Sequence, residues 1–392
     1  MYNLKKVIYL DNAATTPAFP AVSNEIAKYF SYQYGNPSSI YSIGKENKKA
    51  IELARERVAN LIGALPEEIF FTSGGSESDN WAIKSSVFNS AYTIPHIITS
   101  RIEHHAVINT CKDLEKLGAE VTYLTVDSNG MINLDELRES IRKNTVLISI
   151  MYANNEIGTI EPVYEIAEIA QNHNVLFHTD AVQACGQIPI NVKELNVDYL
   201  SGSGHKFNGP KGVGFLYVSN KTDIGPLLCG GGQEMGKRAG TENVPGIVGI
   251  GIAAKITQSI LSKKIEEELF LRDYIINRFY NEIPCVKLNG DRDKRLPNNV
   301  NVSFEYIEGD NLLLLLDEAG ICASSGSACN SSSGSSSHVL EAIGVSDDLA
   351  RGALRITLGH DTNRQEIDYA IEKIKQIVGE LRKGSLEFEK YR

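Results

Sequence analysis

Ser201-Gly202-Ser203-Gly204-His205-Lys206-Phe207-Asn208-Gly209-Pro210-Lys211-Gly212 lies between two apolar runs, Val197-Asp198-Tyr199-Leu200 and Val213-Gly214-Phe215-Leu216-Tyr217-Val218. Short apolar runs joined by glycine, proline and asparagine read as two strands and a tight connection. A tight connection has no need of a lysine beside a histidine and two hydroxyls. A lysine held by packed strands, next to glycines that let a ligand reach the backbone, suits a Schiff base. A surface turn with a solvated lysine is the other reading of these twelve residues.

Upstream, apolar strand-like runs alternate with helical periodicity. Ile97–Ser100, Val121–Leu124, Val146–Met151 and Val175–His178 read as strands. Helices are expected near 106–117, 134–142 and 162–172. This alternation predicts an α/β domain with a mainly parallel sheet flanked by helices, which binds ligands at the carboxyl ends of its strands. The segments just past those strands are polar: Arg101–His105, Tyr152–Glu156, Thr179–Gln183 and Ser203–Lys206. Each alone reads as a solvated turn; as a set they describe a pocket.

Earlier still, Val7–Leu10 reads as a strand, Pro20–Ser31 as a helix, and Lys45–Gly63 as an amphipathic helix. In Ile69–Ala82 a strand meets Gly74-Gly75-Ser76 and opens a helix. Its free N–H groups and the Ser76 hydroxyl suit a phosphate. The alternative is a plain helix start with Glu77 in its first turn. Downstream, Val244–Leu261 and its continuation Ile265–Glu282 are helical. Val300–Phe304, Ile321–Cys322 and Ala353–Leu358 read as strands, and Asn311–Asp317 and Gln365–Leu381 as helices. The mix predicts a smaller α+β domain.

The 392 residues suit two domains. With 39 basic and 49 acidic residues the net charge is −10, which argues against a broad nucleic-acid surface. No apolar run approaches the roughly 18–20 residues needed to span a bilayer and no signal-peptide core is legible, so a cytoplasmic protein is expected. Of the six cysteines none forms a CxxC pair, and the adjacent His104 and His105 lack metal-ligand spacing, so no metal is expected. Most of the cysteines read as buried small hydrophobes; Cys322 reads as core, and Cys111, Cys185, Cys229 and Cys285, with no partner motif, are assigned no role. His96, His173 and His360 read as structural, and His338 as a cap on the next helix. Residues 323–337 hold nine serines and two glycines with Cys329 near the centre. Such composition behaves as flexible chain. A linker gains nothing from a thiol, whereas a travelling nucleophile does. Seven residues on either side reach at most about 25 Å.

These motifs resemble the cysteine desulfurases, pyridoxal-phosphate enzymes of the class V aminotransferase group. The likeness runs through Tyr9–Thr16, Gly35–Ser39, Phe71–Gly74 with Glu77-Ser78, Glu103-His104, Asn154–Gly158 and His178–Gln183. It continues through Gly204–Phe207, Gly209–Gly212, Arg238–Thr241, Ser325–Cys329 and Leu354–Gly359. The resemblance implies fold type I of the pyridoxal-phosphate transferases. A large domain would span 16–259, and a small domain 1–15 and 260–392, the latter carrying the cysteine loop of about 323–337.

It further implies an aldimine on Lys206 and a pyridinium nitrogen paired with Asp180. His104 would stack on the ring and assist proton transfer, with Gln183 and Asn155 near the phenolic oxygen. Gly75, Ser76, Ser203 and His205 would hold the phosphate, with Thr241 reaching in from the partner subunit of a homodimer. Arg355, with Asn155, would bind the substrate carboxylate, where a guanidinium fork fits. Cys329 would take sulfur from L-cysteine as a persulfide, release L-alanine and pass the sulfur to an acceptor or iron–sulfur scaffold protein. Selenocysteine lyase or aminotransferase chemistry on the same cofactor is the alternative. The family pattern usually has histidine where Tyr41 stands, arginine where Met235 stands, and alanine and threonine at Gly75 and Ser76.

Overall fold

In a computed structural model the described residues are 7–325, 337–383 and 388. The strands are β1 (Ile8–Tyr9), β2 (Ile69–Thr72), β3 (His96–Ser100), β4 (Glu120–Leu124), β5 (Thr145–Ser149) and β6 (Leu176–Asp180). They continue with β7 (Tyr199–Ser203), β8 (Gly214–Val218), β9 (Val286–Leu288), β10 (Asn299–Phe304), β11 (Ile321–Cys322) and β12 (Ala353–Thr357). Seven form one sheet in the order β2-β8-β7-β6-β5-β3-β4. From β7 to β4 every pairing is parallel; β8 runs antiparallel to both its neighbours.

The strand sequences explain that sheet. Residues alternate faces along a strand, and here both alternating sets are apolar. Phe71, Ile98, Ile148, Leu200 and Phe215 pack into one core. Their neighbours Phe70, Ile97, Leu147, Tyr199 and Leu216 pack into another on the opposite face. A parallel sheet covered by helices on both sides produces such unbroken apolar runs. The opening stretch is the antiparallel β7–β8 connection, closed by a short 3-10 turn, Gly204–Lys206.

Beyond the sheet, β12-β10-β9 form a second, antiparallel sheet, and β1 pairs in parallel with β11. Ile8 and Leu10 join the core of this region with Leu271, Phe279, Val302, Leu354 and Ile371. The helix Val244–Glu282 runs unbroken for 39 residues. Its first half packs in the core of the large sheet through Ile247, Ile250 and Ala254, its second half in the other core through Leu271, Ile275 and Phe279. By length and composition this helix is apolar enough to cross a membrane, but 56% of its apolar window is buried inside the protein. It is the spine of the fold.

Several boundaries differ from expectation. The predicted helix 20–31 is two, Pro20–Ile26 and Lys28–Ser31. The short helices His338–Ala342 and Asp347–Arg351 and the half-exposed β9 carry too few residues for a period to register. Ser337, rather than His338, caps its helix, accepting from the Val339 and Leu340 N–H groups; His338 Nε2 instead meets the Glu103 carbonyl at 3.0 Å. Cys111 and Cys185 are buried as expected, but Cys229 is exposed and Cys285 and Cys322 are half-buried. His96 is buried between Thr145 and Thr122, as a structural histidine should be.

Candidate active site

β3, β5, β6 and β7 all end on one side of the sheet, and a cavity of about 340 Å³ opens there. It is lined by Gly75, Ser76, His104, Asn155, Asp180, Gln183, Ser203, His205, Lys206 and Arg355. Sequence reading thus named ten residues that the fold brings to one place. Two named residues are not among them. Thr241 is exposed and lies in a separate depression beside Ser73 and Arg238. Cys329 lies outside the described residues.

Lys206 projects from the 3-10 turn after β7. Its Nζ donates to the Ala13 carbonyl and, at 2.9 Å, to that of Ala14. The turn after β1 therefore holds the amine in the cavity. Gln183 Nε2 donates to the same Ala13 carbonyl at 3.1 Å. His205 Nδ1 meets Thr15 Oγ1 at 3.1 Å, and burial pushes its pKa down to about 4.

Asp180 ends β6, is buried, and accepts from the Val182 N–H at 2.9 Å. Burial raises its pKa to about 6; the Val182 N–H and Lys206 pull the other way. Asp79, also on the cavity wall, is 1% exposed, and its Oδ1 has no hydrogen-bond partner. Burial and the field of Asp180 raise its pKa well above the usual range. Two desolvated carboxylates so placed do not both ionise. The proton belongs on Asp79, which leaves Asp180 the anion. Behind them His178 is fully buried between Ser149 Oγ (2.8 Å) and Ser201 Oγ (3.0 Å) and stays neutral.

His104 caps the helix His105–Lys116, its Nδ1 accepting from the Ala106 N–H at 3.1 Å. That bond puts the remaining proton of the neutral ring on Nε2. Burial, Lys206 and His105 lower its pKa to about 4, so the ring is neutral at pH 7. The helix Gly75–Phe88 opens with no side-chain cap. Glu77 instead takes the Ser73 N–H and a two-point contact from Arg238, so the first-turn glutamate is also present. Uncapped N–H groups at the start of a helix favour an anion. Gly75 packs closely there: a Cβ on it would meet Val182 Cγ2 at 2.5 Å, so the alanine usual in the family pattern would require that side chain to shift.

Arg355, on β12, closes the cavity from the second sheet. Its Nη1 donates to the Asn155 carbonyl at 3.1 Å and its Nη2 to Asp11 Oδ1 at 2.9 Å; Nε is buried with no partner. Asp11, Asp79 and the Ala13 and Ala14 carbonyls escaped sequence reading. Asp79 alone left a signal, one helical turn after Gly75 and so on the same face. Tyr41 and Met235 are exposed and do not line the cavity. Met235 and its neighbour Glu234 have positive φ, and the buried Glu234 carboxylate holds both Arg55 and the Phe71 N–H.

The described residues contain no cluster of three or more histidine, cysteine, aspartate or glutamate side chains able to hold a metal ion. The cavity has an amine held in place, a buried carboxylate and an uncapped helix start on its walls. That donor set matches an aromatic, nitrogen-containing phosphate such as pyridoxal phosphate. Residues 8–370 match the aminotransferase class-V family model. The chain belongs to that family. It is 54% identical over 380 residues to a cysteine desulfurase IscS of Methanosarcina thermophila, covering 97% of this chain and 94% of that one. A solved NifS-like protein superposes with a TM-score of 0.89 at 41% identity, over 95% of this chain and 99% of the other. A structure of SspA in complex with cysteine superposes at 0.79 with 40% identity, over 90% and 98% of the two chains. The chain is a pyridoxal-phosphate-dependent cysteine desulfurase of this family, with a family fold that matches the α/β expectation.

Proposed function

We propose that the enzyme converts L-cysteine to L-alanine and leaves the sulfur as a persulfide on Cys329. The observation that carries the reading is the single cavity in which Lys206, Asp180, His104 and Arg355 converge. L-cysteine as substrate is also supported by the structural neighbour that holds it. Bound here, pyridoxal phosphate supplies an electron sink for the α-carbon of an amino acid. Asp180, whose anion the Val182 N–H and Lys206 favour, would hold a ring nitrogen protonated. Lys206 is the amine that binds the cofactor and carries protons at the α-carbon. Gly75, Ser76, Ser203 and His205 would hold the phosphate. Gln183 and Asn155 would lie near the phenolic oxygen. His104, neutral with its proton on Nε2, would stack on the ring and assist proton transfer. Arg355, with Asn155, takes the substrate carboxylate.

Cys329 is the nucleophile. Its thiolate attacks the substrate sulfur; the new S–S bond forms as the substrate Cβ–S bond breaks. The electron pair stays on Cβ, which gains a proton and becomes the methyl group of alanine. The persulfide then passes to an acceptor protein, with iron–sulfur cluster assembly the pathway supported by the IscS relatives. We assign a reducing compartment, the cytoplasm, to a thiol with this duty.

We also propose a homodimer. Phe30, Tyr32, Tyr34 and Ile40 are 68, 83, 69 and 87% exposed within eleven residues of chain, an apolar surface that suits a partner copy. Thr241, exposed and away from its own cavity, would complete the phosphate site of that copy. The domain boundaries we assign are 16–259 against 1–15 with 260–392; the second cut falls inside the spine helix.

The test, run with an added dithiol reductant to release sulfide from the persulfide, is alanine and sulfide production from cysteine, and alanine and selenide from selenocysteine, by wild type, Cys329→Ala and Lys206→Ala. Both variants should lose sulfide release from cysteine by at least about 10²-fold. Wild-type release by Cys329→Ala refutes the persulfide route and turns the reading to a lyase or aminotransferase.

A further inference from the structure

Arg355 is 4% exposed, and a buried guanidinium without a counter-charge is costly. Its counter-charge here is Asp11, with Nη2 at 2.9 Å from Oδ1. Neither group is adrift. The Arg355 backbone exchanges two hydrogen bonds with Ser324 and pairs with Asn301 of β10. The chain around Asp11 is bolted to β12: Asn12 Nδ2 donates to the Thr357 carbonyl and Ala13 N–H to Thr357 Oγ1, both at 2.8 Å. Asn155 takes Nη1 through its backbone carbonyl, and Nε of Arg355 is buried with no partner. The other carboxylate whose field reaches Arg355, Glu156, is occupied by Ser337.

We infer that Asp11 sets the affinity of the site, because it competes with the substrate and product carboxylate for Arg355. The inference rests on Arg355 as the carboxylate ligand. An incoming carboxylate meets a cation that is already paired. It meets the guanidinium at the cavity wall and must share the charge with Asp11. Carboxylate binding is therefore weaker than a free guanidinium would give. The weakness has a use. Cysteine and alanine carry the same carboxylate, so a grip on that group binds substrate and product alike and slows release without helping the chemical step. Asp11 orients the fork before the ligand arrives and reclaims it as alanine leaves.

The experiment measures, on the holoenzyme, the Kd of 3-mercaptopropionate, which has the carboxylate and thiol of cysteine but no amine. It also measures inhibition by L-alanine. Asp11→Asn keeps an oxygen at the same place and removes the charge. It should bind 3-mercaptopropionate about tenfold tighter, strengthen alanine inhibition by a similar factor, and lower KM for cysteine without raising kcat. Asp11→Ala should also bind more tightly than wild type. If Asp11 only orients Arg355, Asp11→Asn binds equally or more weakly and Asp11→Ala more weakly still, and the inference is overturned. Arg355→Gln separates the two readings. Wild-type affinity in Arg355→Gln overturns the carboxylate role of Arg355 and this inference with it. Lost affinity there, with unchanged affinity in Asp11→Asn, overturns this inference alone.

Discussion

At the scale of the residue, the missing Cβ of Gly75 leaves room for Val182 beside the helix start proposed to hold the cofactor phosphate. An alanine Cβ at 75 would meet Val182 Cγ2 at 2.5 Å, where something must shift. Gly75→Ala should weaken cofactor retention several-fold, measured as the rate of cofactor loss on dialysis. Adding Val182→Ala should restore it, since the clashing methyl is gone. A Gly75→Ala enzyme that retains cofactor like wild type would rule out this packing account. Asp180→Asn tests the anion at the other end. Without a carboxylate to hold the ring nitrogen protonated, turnover should fall by at least about 10²-fold while the fold persists, as activity and circular dichroism together would show.

The residues that sequence reading found share a property: each sits in a short motif whose meaning is local, such as Gly204-His205-Lys206 or His178-Thr179-Asp180. Those it missed act through pairs distant in the chain. Asp11 meets Arg355 across 344 positions. Asp79 matters because it faces Asp180 from another element. Backbone carbonyls such as those of Ala13 and Ala14 carry no sequence signal at all.

At the scale of the element, strands buried on both faces announced themselves as apolar runs, and the long amphipathic helices by their period. The spine helix is the informative case. Its sequence reads as two helical stretches, yet its 39 residues keep one axis of about 58 Å. Close approach explains why its first half tolerates Gly246, Gly249 and Gly251. A Cβ on Gly251 would stand 2.5 Å from Ala54 Cα, on the neighbouring helix Ser42–Ile62. Backbone so near cannot swing aside. Gly251→Val should therefore destabilise the protein by about 1–3 kcal/mol despite its added apolar surface. The urea midpoint measures this, and an unchanged midpoint would contradict the packing.

At the scale of the whole molecule, buried glutamates shape the response to pH. Burial raises Glu161 to about 8, and Glu156 and Glu268 to about 7, from an ordinary 4.5. A folded-state value above the unfolded one means that the folded protein binds protons the unfolded chain releases. The associated stability is present below pH 4.5 and is lost as pH rises to 7 or 8. His96 and His104, lowered to about 4, act oppositely: their contribution is full above pH 6.5 and lost on acidification. Between pH 6.5 and 8 the glutamates govern, so the melting temperature should fall across that window. Glu161→Gln, which keeps an acceptor for the Ile132 N–H, should flatten the fall. A wild-type slope in that variant would assign the effect elsewhere. The proposed dimer belongs to this scale too. Sedimentation should give twice the chain mass, and Thr241→Ala should loosen the cofactor without splitting the dimer.

The pairing of β1 with β11 orders events on the ribosome. Ile8 is made long before its partner Ile321. At about 5–20 residues per second the first strand waits on the order of 15–60 s with its edge open. All the cavity residues from the large sheet, Lys206 included, are synthesised in that interval. Arg355 follows last. A nascent chain thus gains the walls of its proposed cofactor site before it owns the cation that Asp11 pairs with, and β1 stays unpaired until β11 has left the exit tunnel.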